Sequence, residues 1–199
     1  FRTPNVYKMS FARANLSYIV RRTMDKEAEL VHILRQTSGS SIVYTRSREA
    51  TRELAKMLMQ QGISATWYHA GLEPSVKEER QNLWQTDKVR VMVATNAFGM
   101  GIDKSNVNFV IHYNMPKSLE AYYQEAGRAG RDGEAADCIL LYSAGDVETA
   151  KFLIQSGGEE LGDAEREELR RRDYGRLKIM TGYCKTTRCL RGYILDYFG

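Results

Sequence analysis

The β-branched run Ser41-Ile42-Val43-Tyr44-Thr45 predicts a short buried strand, and a helical pattern begins directly after it. Ser47 can cap that helix and Gly62 can end it. The same order, a short apolar strand followed by an amphipathic helix, recurs along most of the chain. Alternation of this kind is typical of an α/β fold, in which a largely parallel β-sheet has helices on both faces.

The remaining elements follow from the same periodicities. Five further strands are predicted, at 15–22, 63–68, 88–95, 107–113 and 136–142. Four further helices are predicted, at 25–36, 75–85, 118–128 and 145–156, and Ser75 with Glu78 predicts a capping box for the second of them. Ligands bind at the carboxyl ends of the strands in such sheets, so we expect the loops after four of the strands to line one edge together. These loops are the ones at Arg46, at His69 to Gly71, at Thr95 to Asp103, and at Met115 with Pro116.

Residues 157–163, rich in glycine and acids, interrupt the alternation and predict a domain boundary. We therefore predict a first domain at 1–157 and a second, helical segment at 158–199. Within that segment, 164–181 and 185–198 have helical patterns but few apolar residues for a core of their own. We expect these helices to begin a further domain of a longer protein.

The composition is that of an ordinary globular protein, with 43% hydrophobic and 27% charged residues among 199. The formal net charge of +4 permits a polyanionic partner without requiring one. The three cysteines, Cys138, Cys184 and Cys189, are an odd number, which argues against a secreted disulfide scaffold, and Cys138 in an apolar strand predicts a core thiol. No apolar run has membrane-spanning length and no signal peptide is recognisable, so we expect a cytoplasmic, nucleoid-associated location and no membrane partner.

The strongest chemical signal is Gln124-Glu125-Ala126-Gly127-Arg128-Ala129-Gly130-Arg131-Asp132-Gly133, in which two arginines lie three residues apart among small residues. Arg128 and Arg131 would share one face if they formed the last turn of a helix. Guanidinium groups match phosphate oxygens well, and the three glycines let a ligand or another backbone approach closely. A bare arginine pair is also typical of a solvated helix end, so the glycines and Gln124 are what favour the phosphate interpretation.

The loop Ala94-Thr95-Asn96-Ala97-Phe98-Gly99-Met100-Gly101-Ile102-Asp103 follows a strand and is a second candidate. Its backbone N–H groups around glycines such as Gly101 can form an anion-binding nest. Thr95 and Asn96 offer short hydrogen-bonding side chains, and Asp103 could bond ribose hydroxyls. A tight turn capped by Asp103 is the alternative, and the position of the loop before the double arginine favours binding.

Two expected parts of a nucleotide site are absent from the sequence. It contains no GxxxxGK[ST] phosphate loop, and no pair of acids after a strand that would hold a metal–nucleotide complex. The arginine pair is therefore half of a site. We expect another lobe of the same protein to supply the phosphate loop and Mg²⁺, and we expect this chain to be inactive alone.

Four segments together resemble the RecQ family of DNA helicases. Residues 124–133 resemble motif VI of that family, 94–104 resemble motif V, and 41–48 resemble motif IV. Tyr68-His69-Ala70-Gly71-Leu72 is similar to the segment that follows motif IV. The resemblance covers nearly the whole chain, beginning at Ser10.

The end of the chain, 189–199, resembles the start of the RecQ zinc-binding module. In that module four cysteines bind Zn²⁺, and Cys189 matches the first of them, although Leu190 replaces the usual arginine. Cys184 does not match a ligand position. The resemblance therefore implies Zn²⁺ in a longer protein, and we expect no complete zinc site in these 199 residues.

The resemblance implies that the chain is the second of two RecA-like lobes, which clamp ATP between them in a motor that unwinds DNA with 3′ to 5′ polarity. It implies that Arg131 is the arginine finger, and that Arg128 is a second phosphate contact or a strut to motif V. Gln124 would orient the arginines or the attacking water, and Asp103 would contact the ribose or couple to Arg128. Bound ATP would thus be contacted by Gly101, Asp103, Arg128 and Arg131, with Mg²⁺ held mainly by the first lobe.

The resemblance also implies contacts with DNA, single-stranded or forked. The expected contacts to its phosphate backbone are made by Thr95, Asn96, Arg46 and His69. A hydrogen-bonded histidine at the end of a strand explains His69 equally well.

Three other functions remain open. A DEAD-box RNA helicase would use the same fold and arginine pair on RNA, although the 189–199 end argues against it. An interaction module without motor activity fits the missing phosphate loop but gives no reason for arginines framed by glycines. A plain phosphate–sugar-binding α/β domain is disfavoured because no GxGxxG fingerprint is present.

Overall fold

The computed structural model describes residues 12–99, 102 and 104–199, and these residues form six strands and seven helices. The strands are β1 Leu16–Arg22, β2 Ser40–Tyr44, β3 Ala65–Tyr68, β4 Val91–Ala94, β5 Val107–His112 and β6 Ala136–Tyr142. The helices are α1 Lys26–Gln36, α2 Arg48–Gln60, α3 Pro74–Gln85, α4 Leu119–Ala126, α5 Ala144–Ser156, α6 Asp163–Lys185 and α7 Leu190–Phe198. Neighbouring strands pair in parallel, in the order β1-β6-β5-β2-β4-β3, which confirms the predicted parallel α/β sheet.

Helices cover both faces of the sheet, because consecutive residues of a strand point to opposite sides. In β2, Ile42 belongs to one apolar cluster and Val43 to the other. The cluster around Val43 includes Leu34 of α1 and Leu58 of α2. The cluster around Ile42 includes Trp84 of α3, Tyr122 of α4, Tyr183 of α6 and Ile194 of α7. A central strand covered on both faces needs no polar side, which explains the continuous apolar sequence of β4.

The last two helices pack against the sheet and its helices. Tyr183 of α6 is fully buried, and its hydroxyl donates to the hydroxyl of Tyr122 in α4 at 3.2 Å. Arg191 of α7 donates from its guanidinium to the carbonyl of Leu16 at 2.6 Å. Residues 158–199 thus bury apolar side chains against the preceding elements, which the sequence analysis did not predict, and the boundary at 157 stays a prediction.

Helix α3 begins earlier than predicted, so the capping box of Ser75 and Glu78 is wrong. Pro74 occupies the first turn and Glu73 is the N-cap residue, without a side-chain capping hydrogen bond. Proline suits this position because its fixed φ is helical and its missing N–H would have had no partner within the helix.

Helix α6 is longer than predicted and α7 is shorter. The first ends at Lys185 instead of 181, and the second begins at Leu190 instead of 185. Tyr183 and Cys184 are both buried. Since they continue the inward-facing side of α6 into its final turn, packing extends the helix beyond its charged, clearly periodic part.

The buried thiols are part of the core. Cys138 in β6 is fully buried, which confirms the predicted core thiol, and Cys184 in α6 is buried as well. Burial raises the pKa of each thiol to about 12, so both stay protonated and unreactive at neutral pH. Within the described part of the chain, none of the helices combines the length and the apolar character needed to cross a membrane.

Candidate functional site

The carboxyl ends of β5, β2, β4 and β3 are neighbours at one edge of the sheet. Their loops are joined there by hydrogen bonds: the N–H of Arg46 donates to Oδ1 of Asn114 at 3.0 Å, and the N–H of Thr95 donates to the carbonyl of Tyr68 at 3.3 Å. The structure therefore brings the loops at Arg46, Thr95 and His69 together, as the strand order requires.

The predicted contact residues on this edge differ in exposure. Arg46 and Asn96 are exposed, whereas Thr95 is buried, with 8% of its surface accessible. A phosphate at this edge could meet Arg46 and Asn96 directly. Thr95 would take part mainly as the residue that shapes the start of the loop.

His69 lies among positive charges that the sequence reasoning did not include. Burial lowers its pKa, and Arg48, Arg80 and Lys77 lower it further. Its ordinary pKa is about 6.5, so the imidazole is neutral at pH 7. Its Nδ1 is buried without a hydrogen-bond partner among the described residues, which does not favour the simple hydrogen-bonded histidine. Arg48 and Lys77 lie in the first turns of α2 and α3, and the sequence analysis treated these turns as helix starts and not as part of the edge.

The double arginine lies beyond a helix end. Helix α4 ends at Ala126 with Gly127 as its C-cap, so the prediction that the helix continues to Arg128 is wrong. The chain then makes tight turns, and Gly130 has a φ of +56°, which favours glycine over residues with a side chain. The two arginines consequently project from a turn and have different environments.

Arg128 is half-buried and attached to the preceding loop. Its Nη1 donates to the carbonyl of Gly99 at 2.5 Å. Gly99 has a φ of +140°, and a Cβ atom there would overlap the Arg128 guanidinium. The backbone angle therefore favours glycine here, and a side chain at this position would have to displace the guanidinium. The arrangement is that of a strut between the double-arginine turn and the 94–103 loop.

Arg131 is exposed and only weakly held. The one hydrogen bond recorded for its side chain among the described residues is a long one, from Nη1 to the carbonyl of Ile102 at 3.4 Å. Gln124 is also exposed, on α4. The predicted nucleotide contacts Gly101 and Asp103 lie outside the described residues. Of the two arginines in the predicted nucleotide site, Arg131 is thus the one whose guanidinium is exposed and can reach a phosphate outside the chain.

A buried polar network supports this region and was not predicted. Nε2 of His112 and Oε2 of Glu125 are 2.7 Å apart, and the His112 ring stacks on Tyr44 with centroids 5.3 Å apart. The Tyr44 hydroxyl donates to the carbonyl of Phe98 at 3.2 Å. Burial raises the pKa of Tyr44 well above its usual value, and nearby Arg128 opposes that rise. The network links the ends of β2 and β5 to α4, which leads into the arginine turn, and to the loop that contains Phe98.

Cys189 is the residue with a predicted role in zinc binding. Cys189 is exposed at the N-cap of α7 and forms no disulfide. Among the described residues, no group of three His, Cys, Asp or Glu side chains is close enough to hold a metal ion. A structural Zn²⁺ takes about four ligands, and Cys189 is one matched position.

Two family models match the chain. The helicase conserved C-terminal domain matches residues 25–133, and the RecQ zinc-binding family matches residues 144–199. The ATP-dependent DNA helicase RecQ of Bacillus subtilis is 42% identical over 98% of this chain and 32% of its own length. The corresponding protein of Pasteurella multocida is 40% identical over 99% of this chain and 30% of its own length. The chain thus spans about a third of these curated relatives, and 14% of the RecQ-like DNA helicase BLM of Xenopus laevis, to which it is 41% identical.

Solved structures agree with the fold. The Escherichia coli DEAD-box protein SrmB, solved with a regulator of ribonuclease activity, is 30% identical with a TM-score of 0.58, over 73% of this chain and 85% of that one. A DEAD-box protein from Methanococcus jannaschii is 27% identical with a TM-score of 0.61, over 72% of this chain and 40% of that one. The six-stranded sheet of the described residues is therefore a RecA-like helicase lobe. Together with the two matching family models, this shows that the chain belongs to the RecQ family of helicases.

Proposed function

We propose that the chain is the second motor lobe of an ATP-dependent DNA helicase that unwinds duplex DNA with 3′ to 5′ polarity. The observation that carries this proposal is the contrast within the arginine pair. Arg128 is fixed to Gly99, whereas Arg131 is exposed and, among the described residues, its side chain makes one long hydrogen bond. A fixed strut beside an available guanidinium is what a composite nucleotide site needs from the lobe that lacks the phosphate loop.

Arg131 is the arginine finger in this proposal. When bound between the lobes, ATP supplies the phosphoryl group that is transferred to water. The Arg131 guanidinium meets the negative charge that develops on that group, and Gln124, exposed on α4, orients the arginine or the water. Fingers of this kind contribute roughly 10³–10⁵ in rate in related phosphoryl transfers.

Arg128 couples the nucleotide cleft to the DNA-binding edge. Its hydrogen bond to Gly99 ties the double-arginine turn to the loop that begins at Thr95. Closure of the two lobes on ATP would move this turn, and the strut would transmit the movement to the edge that holds the strand. Gly101 and Asp103, in the same loop, are proposed to contact the ribose and phosphates.

The carboxyl edge is the proposed grip on single-stranded or forked DNA. Arg46 and Asn96 are exposed there, and the neutral His69 can donate or accept a hydrogen bond beside Arg48 and Lys77. Contacts to the phosphate backbone are independent of base sequence, as a motor that moves along DNA requires. A protein with this activity would work at the DNA, in the cytoplasm or nucleoid.

The chain alone is proposed to be inactive. Its sequence contains no phosphate loop, so ATP and Mg²⁺ would be held mainly by a first RecA-like lobe in the same protein. Zn²⁺ is proposed only for the longer protein, with Cys189 as its first ligand. The alternative is a helicase that acts on RNA, which the likeness to two DEAD-box structures favours. The names of the relatives, all DNA helicases, favour DNA.

The test is the ATPase rate of the full-length protein, measured without nucleic acid, with single-stranded DNA and with RNA. We expect DNA to stimulate hydrolysis more than RNA does. We expect Arg131→Ala to lower the stimulated kcat by roughly 10³-fold while DNA binding changes less than about threefold, because the finger acts on the transferring phosphoryl group. Arg171→Ala, an exposed arginine of α6, is the control and should leave both quantities unchanged.

Two results would contradict the proposal. Retained DNA-stimulated turnover in Arg131→Ala would remove the finger assignment. Stronger stimulation by RNA than by DNA would favour the RNA helicase.

A further inference from the structure

The turn that bears the two arginines is held from outside by a residue more than a hundred positions earlier. The guanidinium of Arg13, in the segment before β1, donates to three carbonyls between and beside Arg128 and Arg131. Nη1 donates to Gly127 at 3.2 Å, and Nη2 donates to Ala129 and Gly130 at 3.0 Å each. The planar fork of one arginine thus spans the backbone of the turn.

Asn15, two residues later, completes the contact. Its Nδ2 donates to the carbonyl of Gly130 at 2.8 Å and to that of Glu134 at 2.9 Å. Its own carbonyl accepts a hydrogen bond from the N–H of Ala136 at 3.0 Å, where β6 begins beside β1. The carbonyl of Gly130 therefore receives donors from both Arg13 and Asn15, and the turn is fixed relative to the sheet.

The turn also has backbone hydrogen bonds of its own: the N–H groups of Ala129 and Asp132 donate to the carbonyls of Ala126 and Ser105 at 3.1 and 3.2 Å. Its side-chain packing comes mainly from the small methyl groups of Ala126 and Ala129, which are fully buried. The N–H of Gly130 donates to the carbonyl of Val107 at 2.9 Å, which fixes one point of the backbone. Arg13 and Asn15 fix the opposite, carbonyl-bearing side. Both sides of the turn must be held if Arg131 is to project in one direction.

Residues 13–16, which hold the turn, are themselves held by helix α7. The Arg191 guanidinium, in the first turn of α7, donates to the carbonyl of Leu16 at 2.6 Å and to that of Ala14 at 3.4 Å. Ala14 and Leu16 alternate with Arg13 and Asn15 along the chain. A continuous set of hydrogen bonds therefore runs from α7 through residues 13–16 to the arginine turn.

We infer that Arg13 and Asn15 are positioning residues for Arg131, and that the rate of phosphoryl transfer depends on them although they lie outside the nucleotide site. The inference rests on the proposed function of Arg131 as the finger. Displacement of a catalytic group by about 1 Å can cost roughly 10²-fold in rate, whereas ATP binding by the first lobe would be little affected. The signature of positioning is therefore a loss in kcat with a nearly unchanged KM.

The chain provides a matched control for this inference. Arg90 also donates to three backbone carbonyls, those of Leu34, Thr37 and Gly39, at 2.7, 2.7 and 3.0 Å. Like Arg13 it is half-buried, but it precedes β4 and thus lies at the opposite, amino-terminal edge of the sheet. Loss of either arginine removes the same kind of contact, and only one of them touches the arginine turn.

The experiment compares Arg13→Ala, Arg13→Lys, Arg90→Ala and Arg131→Ala in the full-length protein, with thermal unfolding and DNA-stimulated ATPase kinetics for each. We expect Arg13→Ala to lower kcat roughly tenfold or more with KM for ATP within about threefold. Arg13→Lys should recover part of kcat, because an ammonium can reach some of the carbonyls but cannot span all three. Arg90→Ala should lower Tm comparably and leave kcat within about twofold at a temperature where every variant is folded.

The inference is overturned if Arg13→Ala loses no more kcat than Arg90→Ala while Arg131→Ala is inactive. An active Arg131→Ala would instead overturn the proposed function, so the two failures are distinguishable. If Arg13→Ala does not fold, Asn15→Ala takes its place under the same criteria, because it removes two of the hydrogen bonds to the turn.

Discussion

At the scale of single residues, different tasks are proposed for the two arginines of one short turn because their surroundings differ. Arg128 is half-buried against the carbonyl of Gly99, and Arg131 is exposed. The first can transmit movement and the second can meet a phosphate. The spacing of the two arginines in the sequence does not distinguish them. The difference arises because Nη1 of Arg128 lies 2.5 Å from the carbonyl oxygen of Gly99, whereas Nη1 of Arg131 lies 3.4 Å from that of Ile102.

The contact between Gly99 and Arg128 gives a prediction with a matched control. Gly99→Ala places a Cβ atom on the guanidinium at a φ of +140°, whereas Gly62→Ala, at a φ of +77°, meets no atom within 4 Å. We expect Gly62→Ala to lower the free energy of unfolding by about 1–2 kcal/mol, which is the cost of the backbone angle. Gly99→Ala should cost at least about 2 kcal/mol and also lower the ATPase kcat, because Arg128 is displaced.

Urea unfolding of the chain and ATPase rates of the full-length protein measure these effects. If Gly99→Ala matches Gly62→Ala in both, the strut has no role.

The sequence could identify Arg128 and Arg131 but not the residues that hold them. Guanidinium groups framed by glycine are visible in a ten-residue window. Arg13 contacts a turn 117 positions away, and His112 pairs with Glu125 in the core, so neither is recognisable from its neighbours in sequence. Strand order alone brings these residues together.

At the scale of elements, the position of the arginine turn follows from how α4 is fixed. Its N-cap Ser118 accepts from the N–H of Ala121, and its buried Tyr122 packs among aromatic rings from β1, β5 and α6. The turn begins where α4 ends, so any movement of α4 moves both arginines. Helix α6 is therefore part of the support of the site although it contributes no residue to it.

The docking of α6 can be tested through Tyr183, which is fully buried and hydrogen-bonded to Tyr122. We expect Tyr183→Ala to lower the free energy of unfolding by about 3–5 kcal/mol, because a large cavity forms between α4 and α6. Tyr183→Phe should cost only about 1 kcal/mol, since it removes the hydroxyl and keeps the ring. Lys178→Ala, on the exposed side of α6, should stay within about 0.5 kcal/mol of the wild type.

Chemical denaturation of the 199-residue chain gives all three values. A small loss in Tyr183→Ala would mean that α6 belongs to an independent unit and is not needed by the lobe. It would thereby support a functional boundary at 157.

Strands and helices were predictable where periodicity is strong, and their ends were not. The apolar run of β4 and the amphipathic α2 follow directly from burial on one or both faces. The start of α3 was missed because Pro74 initiates the helix without a side-chain cap. The end of α6 was missed because Tyr183 and Cys184, packed on other elements, extend it beyond its charged part.

At the scale of the whole molecule, the chain is a lobe whose candidate sites are incomplete by themselves. Its arginine turn, its carboxyl edge and Cys189 are each proposed to form part of a site, and the 199 residues contain no phosphate loop to complete the first of them. The proposed DNA edge and the arginine turn are physically connected. The loop that begins at Thr95 on this edge accepts, at Gly99, the hydrogen bond from Arg128. The order of the motifs in the sequence predicts that the two regions are related. The hydrogen bond between Arg128 and Gly99 shows how they are connected.

The central claim is that Arg131 acts on the transition state of phosphoryl transfer, and the affinity for a transition-state analogue tests it most directly. The measurement is the Kd of the full-length protein for ADP with aluminium fluoride, and for ADP alone, in the wild type and in Arg131→Ala. We predict that the variant binds ADP within about threefold of the wild type but binds the analogue roughly 10²–10³-fold more weakly. Equal losses for both ligands, or no loss for the analogue, would contradict the account.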